Sequence, residues 1–275
     1  MRVCELVSAL ERGPKDSLIV ADNRSGAQDR WVGPVRVVAA GERPSPAYAR
    51  NRGASFGTAP WLVFLDADVR PEPDLLSGYF RPLPRERTAV LVGAVHDERP
   101  SRETTAAVRY AWLRRAMSHT HGLVNPRGPY GQTASLSVRR QAFEATGGFR
   151  PEARRGEDAD LCFRLAASGW ELEERLQAAV EHRNRRTISG LLRQRAMHGW
   201  SAAWLDRHYP GSFPRRRWGG LTVWSLRRVG DAAIGLARRD SDRALLGALD
   251  PLAVWAFELG RLLPSERAWR SGRHA

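Results

Sequence analysis

The chain has 275 residues, of which 42% are hydrophobic, and a formal net charge of +14. This length suits one large domain, or one domain with an appendage, around a sizeable core. Two cysteines, Cys4 and Cys162, do not form a disulfide framework and fit a reducing cytoplasm. The opening stretch MRVCELVSALERGPK carries charges where a signal peptide has its apolar region, so we expect no secretion signal and a cytoplasmic protein.

The positive charge is uneven along the chain. Positions 183–275 hold 18 arginines and seven acids, so this segment carries +11 of the +14. Lys15 is the only lysine, a bias typical of high-GC codon usage. A nearly neutral body with a basic tail favours peripheral contact of the tail with the inner face of a membrane, or with a phosphate-bearing substrate. RNA binding is disfavoured because aromatic residues are not interleaved with the arginines, so we expect no nucleic acid partner.

Short apolar runs and helical patterns alternate along the first part of the chain. Strands are predicted for SLIVA (17–21), VRVVA (35–39), WLVFL (61–65) and AVLVGAV (89–95), and helices for 46–56, 74–80 and 103–117. Continuous apolar runs are typical of strands buried on both faces of a parallel sheet. The alternation therefore predicts an α/β fold with a mainly parallel central sheet and flanking helices.

The second part predicts fewer strands and longer helices. A strand at 135–138, a helix ended by Gly147 and Gly148, a helix in GEDADLCFRLAASGW, strands in WELEE and QAAVEH, and a helix over 188–208 follow in order. PGSFPRRR (210–217) predicts a linker. We expect an α/β domain over 1–211 and a basic helical appendage over 212–275. The most apolar stretch of the appendage, 244–263, is interrupted by charges and a proline, whereas a membrane span needs about 20 mostly apolar residues. A buried or interfacial helix pair is favoured there.

Acidic residues follow two of the predicted strands. Asp22 follows the first apolar run, and Asp66 and Asp68 follow the third in FLDADVRP. Ligands of α/β sheets bind beyond such strand ends. If the chain stays extended, residues i and i+2 point to one face, and both carboxylates could hold Mg²⁺ or Mn²⁺. The alternative is an ordinary turn, because aspartates bond their own backbone in turns.

Several segments resemble family 2 glycosyltransferases with the GT-A fold, from about position 3 to 211. They are IVADNRS (19–25), ARNRGASFGTAPWLVFLDADVRPEPDLL (49–76) and LSVRRQAFEATGGFRPEARRGEDADLCFRLAASGW (136–170). Positions 182–211 resemble the corresponding part of mycofactocin-system glycosyltransferases. The resemblance implies metal-dependent, inverting transfer of a sugar from a nucleoside diphosphate donor, by default a UDP-hexose, to an acceptor hydroxyl. A saccharide, a lipid-linked molecule and a peptide all stay open as the acceptor.

The resemblance also implies residues on the donor side. Asp22 and Asn23 would contact the base or ribose, and Arg50 and Asn51 lie in the helix facing the donor. Arg193 and Arg195 lie where the family often places diphosphate contacts. Arginine forks suit phosphate oxygens, although a solvated basic helix face explains the pair equally well.

The metal ligands that the resemblance implies are Asp66, Asp68 and His182. Asp68 would ligate the ion, Asp66 would touch the ribose or the metal shell, and His182 would complete the shell at a strand end. Carboxylate with imidazole suits Mn²⁺ as well as Mg²⁺. An ordinary surface histidine is the alternative for His182.

On the acceptor side, the resemblance implies that Asp158 is the general base and that Glu157 lies beside it. Acids in GEDADL would also be favoured simply by a helix N-terminus. Neighbouring acids raise and nearby arginines lower the pKa of Asp158, and the sequence leaves the balance open. Trp200 and Trp204 share one helix face, either as a platform for the acceptor sugar or, as we favour, as core.

The family's first strand and its loop have no counterpart here. Only VCELVSALERG precedes IVADN, and it resembles the later half of the family's first helix. A start codon assigned too late, a trimmed chain and a decayed enzyme are competing explanations, of which the first is favoured because the later motifs are intact. The alternative function is a degenerate, non-catalytic binder of the same fold that acts at a membrane surface or on a partner.

Overall fold

A computed structural model describes residues 2–43, 45–153 and 155–263. The elements in chain order are α1 (Arg2–Ala9), β1 (Ile19–Asp22), β2 (Arg30–Val32), β3 (Val35–Ala39), α2 (Pro46–Ala54), β4 (Trp61–Leu65), β5 (Val69–Pro71), α3 (Leu75–Phe80), β6 (Thr88–Asp97), α4 (Ala106–Leu113), α5 (Thr120–Leu123), β7 (Ser135–Arg139), α6 (Arg140–Ala145), α7 (Glu157–Ala167), β8 (Glu171–His182), α8 (Ile188–His208), α9 (Trp218–Ala237) and α10 (Ser241–Gly260).

Contacts divide the chain into two compact units. The α/β unit comprises Met1–His96 and Ser118–His182, and the helical unit comprises Asp97–Met117 and Arg183–Ala275. Helix α8 therefore groups with α9 and α10, and the contact boundary lies at 182. The functional boundary at 211 stays a prediction.

The described residues of the α/β unit form a three-stranded sheet of order β1-β3-β2 and a five-stranded sheet of order β4-β7-β6-β8-β5. β1 pairs with β3 in parallel, whereas the pairs β2–β3, β4–β7, β5–β8 and β6–β7 are antiparallel. The expectation of a mainly parallel sheet is therefore wrong. An apolar run reports burial on both faces, which a central strand such as β6 also has in a mixed sheet.

The predicted ranges of β3, β4 and α8 agree with the structure at both ends. The two strands predicted in WELEE and QAAVEH are instead one strand of 12 residues, β8. Its middle exposes Leu176 and polar neighbours to solvent, so the hydrophobic pattern is interrupted where the extended backbone continues.

The core of the α/β unit lies between the strands of the larger sheet and helices α6 and α7. Its members include Leu62, Phe64, Val90, Val92, Leu136, Val138, Phe143, Phe149, Leu161 and Leu165. Three of its aromatic rings pack edge to face or tilted, with centroids 5.0 to 5.6 Å apart. Such pairs add stability beyond the area that they bury.

Helices α4, α8, α9 and α10 build the helical unit around a buried carboxylate. Asp250 of α10 accepts hydrogen bonds from the Tyr110 hydroxyl at 3.0 Å and from Nε of Arg114 at 2.6 Å, and pairs with Nη2 of Arg228 at 2.8 Å. Because a buried carboxylate without partners is costly, this cluster fixes α4 and α9 against α10. No helix in the described ranges combines the length and the apolar character that crossing a bilayer requires.

The α8–α10 crossing depends on two glycines. A Cβ on Gly199 would overlap the carbonyl group of Phe257, and a Cβ on Gly260 would overlap that of Ala196. The two helices therefore touch through their backbones at this crossing.

Replacing Gly93 of β6 by alanine is expected to lower the free energy of unfolding by about 1–3 kcal/mol, because the core has no room for an added methyl group. A Cβ there would lie 2.7 Å from the Tyr79 hydroxyl and would overlap Ser135 Oγ and the Ala178 carbonyl oxygen. Gly230→Ala in α9 is the control, because a Cβ at this position would have no atom within 4 Å. This substitution should stabilise the helix by about 0.5–1 kcal/mol. Urea unfolding measures both, and equal effects of the two changes would contradict the packing.

Candidate active site

The end of β1 presents a carboxylate that is already held by arginines. Asp22 receives Nε and Nη2 of Arg24 at 2.8 and 2.6 Å, and Nη2 of Arg30 lies at 3.5 Å. The bond from Arg24 is the main reason that the pKa of Asp22 lies well below its usual range. Asn23 beside it is exposed. A ligand at this strand end would meet an anionic Asp22 together with the mostly exposed side chain of Arg24.

Asp66 and Asp68 lie in a turn and not in extended chain. β4 ends at Leu65, the N–H of Val69 donates to the Asp66 carbonyl oxygen at 3.3 Å, and β5 begins at Val69. The condition for the i, i+2 argument therefore fails. The two carboxylates have different neighbours: Asp66 pairs with Arg50, and Asp68 lies next to His182.

Arg50 of α2 connects two distant acids. Its Nη1 donates to Glu157 at 2.5 Å and its Nη2 to Asp66 at 2.6 Å. The guanidinium is nearly buried and lies over the Phe149 ring, 5.7 Å from the centroid. Burial alone would lower the pKa of Arg50, but the two carboxylates outweigh it and the pKa is raised. The resemblance placed both acids in the site, and the structure shows that one arginine joins them.

The first turn of α7 carries three acids with different surroundings. Glu157 pairs with Arg50, while Asp160, fully buried, pairs with Arg150 at 3.0 Å and Arg164 at 2.9 Å. Asp158 accepts the N–H of Ala159 at 2.8 Å and has no ion pair among the described residues. It is only partly buried, so a ligand could reach its carboxyl group.

The surroundings of Asp158 raise its pKa to about 7. Burial is the largest cause and the charge of Glu157 the next, while the Ala159 N–H and Arg50 act in the opposite direction. Asp158 also contributes, after burial, to the raised pKa of Tyr130. The balance that the sequence left open therefore favours the raised value, which suits a group that takes up a proton near neutral pH.

Asp68 and His182 form the part of the site that fits a divalent ion. His182 is buried at the end of β8, because Val69 pairs with it in register, and its Nε2 is 3.6 Å from Asp68 Oδ1. Its Nδ1 has no hydrogen-bond partner among the described residues. Two ligands of one Mg²⁺ or Mn²⁺ lie about 3–3.5 Å apart, so a small adjustment of either side chain would let them share an ion.

Asp66, the third expected metal ligand, does not lie beside Asp68 and His182. Within the described ranges, no group of three or more His, Cys, Asp or Glu residues could hold a metal ion. Asp66 is turned towards Arg50, so the structure brings together Asp68 and His182 but not the full expected set.

Asn51 packs the site from behind. Its Nδ2 donates to the Phe149 carbonyl oxygen at 2.7 Å, and its Oδ1 accepts the Phe149 N–H at 2.9 Å. Its amide therefore clamps the chain before α7 to α2. The role in donor binding stays a prediction.

Three further candidates lie on α8 in the helical unit. Arg193 is exposed, Arg195 is half-buried near Tyr110, and Trp200 is buried. Burial of the indole agrees with the core interpretation and leaves little ring surface for a sugar. The acceptor role of Trp200 and the diphosphate roles of the two arginines stay predictions.

Sequence reasoning missed several partners of these residues. Arg24 and Arg30 at Asp22, and Arg150 at Asp160, were not singled out, and Arg164 was considered only as a neighbour of Asp158 and not as the partner of Asp160. The spacing of Asp160 and Arg164, four apart on one helix, was the available signal. Arg24, two residues beyond Asp22 in a turn, was another.

These features coincide with a known family. The family model for glycosyl transferase family 2 matches residues 4–147. The match covers more than half of the chain, and the chain belongs to this family. The predicted family and enzyme class are therefore confirmed. The match assigns no role to any single residue, so the roles predicted for Asp22, Asp66 and Asp68 stay predictions, as do those of Asp158 and His182, which lie beyond the matched residues.

Two curated relatives match over a longer stretch. They are the pre-mycofactocin glycosyltransferases of Mycobacterium tuberculosis strains CDC 1551 / Oshkosh and ATCC 25618 / H37Rv, each 31% identical over 227 residues. The alignment covers 78% of this chain and 47% of the relative, so the chain spans about half the length of the curated relatives it matches.

A solved structure shows the fold. A mannosyltransferase from Pyrobaculum calidifontis, in complex with GDP-Man and Mn²⁺, superposes with a TM-score of 0.52 at 15% identity, covering 81% of this chain and 69% of that one. The predicted GT-A type of α/β fold is confirmed, with helices after it.

Asp158→Asn is expected to stabilise the protein at pH 8 but not at pH 4. A carboxyl group whose pKa is raised from 3.8 to about 7 in the folded state weakens folding progressively as pH rises through that interval. The neutral amide avoids this loss, which is on the order of 4 kcal/mol once the pH has risen from 3.8 to above 7. Urea unfolding at both pH values measures it.

Asp160→Asn is the matched control for this measurement. It leaves Arg150 and Arg164 without their common buried carboxylate, so it should destabilise the protein at both pH values, by about 3–5 kcal/mol. If Asp158→Asn lowered stability at pH 8 as well, the raised pKa of Asp158 would be refuted.

Proposed function

We propose that this chain transfers a sugar from a nucleoside diphosphate donor to an acceptor hydroxyl with inversion at the anomeric carbon, with UDP-hexose as the default donor. The family membership supports sugar transfer in general. The more specific proposal rests on Arg50, whose side chain binds both Asp66, which follows β4, and Glu157 in the first turn of α7. A donor-side acid and the proposed base thereby belong to one charged cluster.

Asp158 acts as the general base. Its carboxylate takes the proton of the acceptor hydroxyl while that oxygen forms the bond to the anomeric carbon. The bond from this carbon to the phosphate oxygen breaks on the opposite face, and the nucleoside diphosphate leaves. A pKa of about 7 leaves a sizeable fraction of Asp158 ionised at neutral pH and lets it hold the proton after transfer.

Arg50 keeps this arrangement in place. Its guanidinium pairs with both Asp66 and Glu157, and its charge opposes a further rise in the pKa of Asp158. Arg50 binds Oδ1 of Asp66, which leaves Oδ2 as the oxygen that faces the donor ribose.

Asp68 and His182 are the residues that would hold a divalent ion. When bound, Mn²⁺ or Mg²⁺ would neutralise the diphosphate and stabilise the charge of the leaving group. Mg²⁺ sites often combine one or two protein ligands with water and substrate phosphates, so two protein ligands are enough. The Pyrobaculum mannosyltransferase, which has the same fold, is complexed with Mn²⁺ and a GDP sugar, which supports the choice of ion and of donor class.

Asp158→Asn is expected to lower kcat for sugar transfer or donor hydrolysis by about 10²–10⁴-fold, with little change in KM for the donor, because the amide accepts no proton. In the wild type, activity should rise with pH and level off above about 7, since the carboxylate is the active form. Asp74→Asn, at an exposed acid without a side-chain capping bond, is the control. Full activity in Asp158→Asn would contradict the proposed base.

Asp68→Ala is expected to abolish the thermal stabilisation that UDP with Mn²⁺ gives the wild type. UDP without the ion should stabilise both proteins to the same small extent, because the nucleoside contacts at Asp22 are untouched. Differential scanning fluorimetry with each ion and with EDTA measures this. Equal stabilisation of wild type and variant by UDP with Mn²⁺ would show that Asp68 is not a ligand.

A further inference from the structure

Helix α9 turns an uncharged face to solvent. Its six large members, Trp218, Val223, Leu226, Val229, Ile234 and Leu236, are each between 41% and 73% exposed. At 100° per residue they share, with intervening Gly, Ala and Thr residues, an arc of about 160° that contains no charged side chain. These six residues are called the apolar face of α9. Exposed leucines scattered singly are ordinary, but a continuous helical face is not.

The opposite side of α9 carries Arg228 and Asp231, both partly buried, while Arg227 lies exposed at the edge of the apolar face. Arg228 pairs with Asp250 and Asp231, both at 2.8 Å, and Asp231 pairs with Arg243 at 2.6 Å. The indole N–H of Trp255 donates to Ser225 at 3.0 Å. The pair Arg228–Asp231 lies within α9, whereas the bonds to Asp250, Arg243 and Trp255 reach α10. These three bonds fix the rotation of α9, so the helix cannot turn its apolar face towards the core without breaking them.

Backbone packing fixes the same rotation. A Cβ on Gly235 would lie 2.5 Å from the backbone nitrogen of Ala244, and one on Gly247 would lie 2.5 Å from that of Ala232. Small residues of α9, Ala232 and Gly235, thus lie against α10, while the six large residues of the apolar face are exposed to solvent. This is the reverse of the pattern of a helix that covers a core.

Arginines stand at both ends of the apolar face. Arg215, Arg216 and Arg217 precede α9, and Arg238 and Arg239 follow it, all of them exposed. Of these five arginines, only Arg216 has an acidic partner among the described residues, Glu258, at 3.8 Å. The face is therefore bordered by positive charge with little local compensation.

We infer that the apolar face of α9 docks on an anionic lipid surface. The helix lies in the plane of the interface, its large side chains enter the boundary between headgroups and acyl chains, and the arginines at its two ends bind lipid phosphates. A second copy of the chain fits less well, because a symmetric contact through this face would bring arginine clusters together. This docking is independent of the sugar-transfer chemistry.

Co-sedimentation of the whole chain with vesicles tests this inference. The wild type should bind vesicles of phosphatidylglycerol and phosphatidylcholine, bind vesicles of phosphatidylcholine alone far more weakly, and lose binding as salt is raised. Arg238→Glu with Arg239→Glu should weaken binding by about fivefold or more for each arginine. Leu226→Asp with Val229→Asp should weaken it about tenfold or more, since charges enter the apolar boundary.

Leu83→Asp is the matched control, because Leu83 is exposed in a loop outside the helical unit, and it should bind as the wild type does. Circular dichroism and thermal unfolding verify that each variant is folded, which their exposed positions favour. Three results would overturn the inference: wild type that stays in the supernatant, equal binding to both kinds of vesicle, or a dimer in sedimentation equilibrium that Leu226→Asp with Val229→Asp dissociates while vesicle binding is absent.

Discussion

The candidate site depends on one buried guanidinium. Arg50 binds Asp66 and Glu157 at once, and the two acids come from segments far apart in the sequence. Without this charge, two carboxylates with little solvent would face each other beside Asp158, and an unpaired buried charge costs several kcal/mol. The turn after β4 and the start of α7 can therefore adjoin only because α2 supplies a cation between them. An uncharged residue of the same size at position 50 would fill the same volume but would remove the charge that stabilises the two carboxylates.

The same arrangement explains why one acid of α7 differs from its neighbours. A helix N-terminus lowers the pKa of carboxyl groups near it, and arginines do so more strongly. Glu157 and Asp160 receive arginines, whereas Asp158 receives one backbone N–H. Burial and the charge of Glu157 therefore raise the pKa of Asp158. The three acids of this helical turn thus differ in their partners: arginines bind Glu157 and Asp160, and one backbone N–H binds Asp158.

The sequence predicted well what depends on local pattern. β3 and β4 were found to the residue, because short apolar runs between polar turns have few alternative structures. Strand direction was wrong, since a run of apolar residues reports burial and not the partner strand. Of the two geometries left open for Asp66 and Asp68, the extended one is not found, because the chain turns at the first polar residue after β4. Pairing of Arg50 with Glu157, 107 positions away, has no local signal, and only the resemblance placed both near the site.

The crossing of α8 and α10 limits which amino-acid substitutions this chain can accept during evolution. At most core positions a larger residue can be accommodated by a smaller neighbour, so pairs of substitutions open paths that single ones close. Gly199 and Gly260 have no such neighbour, because each faces a carbonyl group of the opposite main chain. No side-chain replacement elsewhere creates the missing space. The two positions are therefore expected to stay glycine in any descendant that keeps this crossing, while the side chains around them drift.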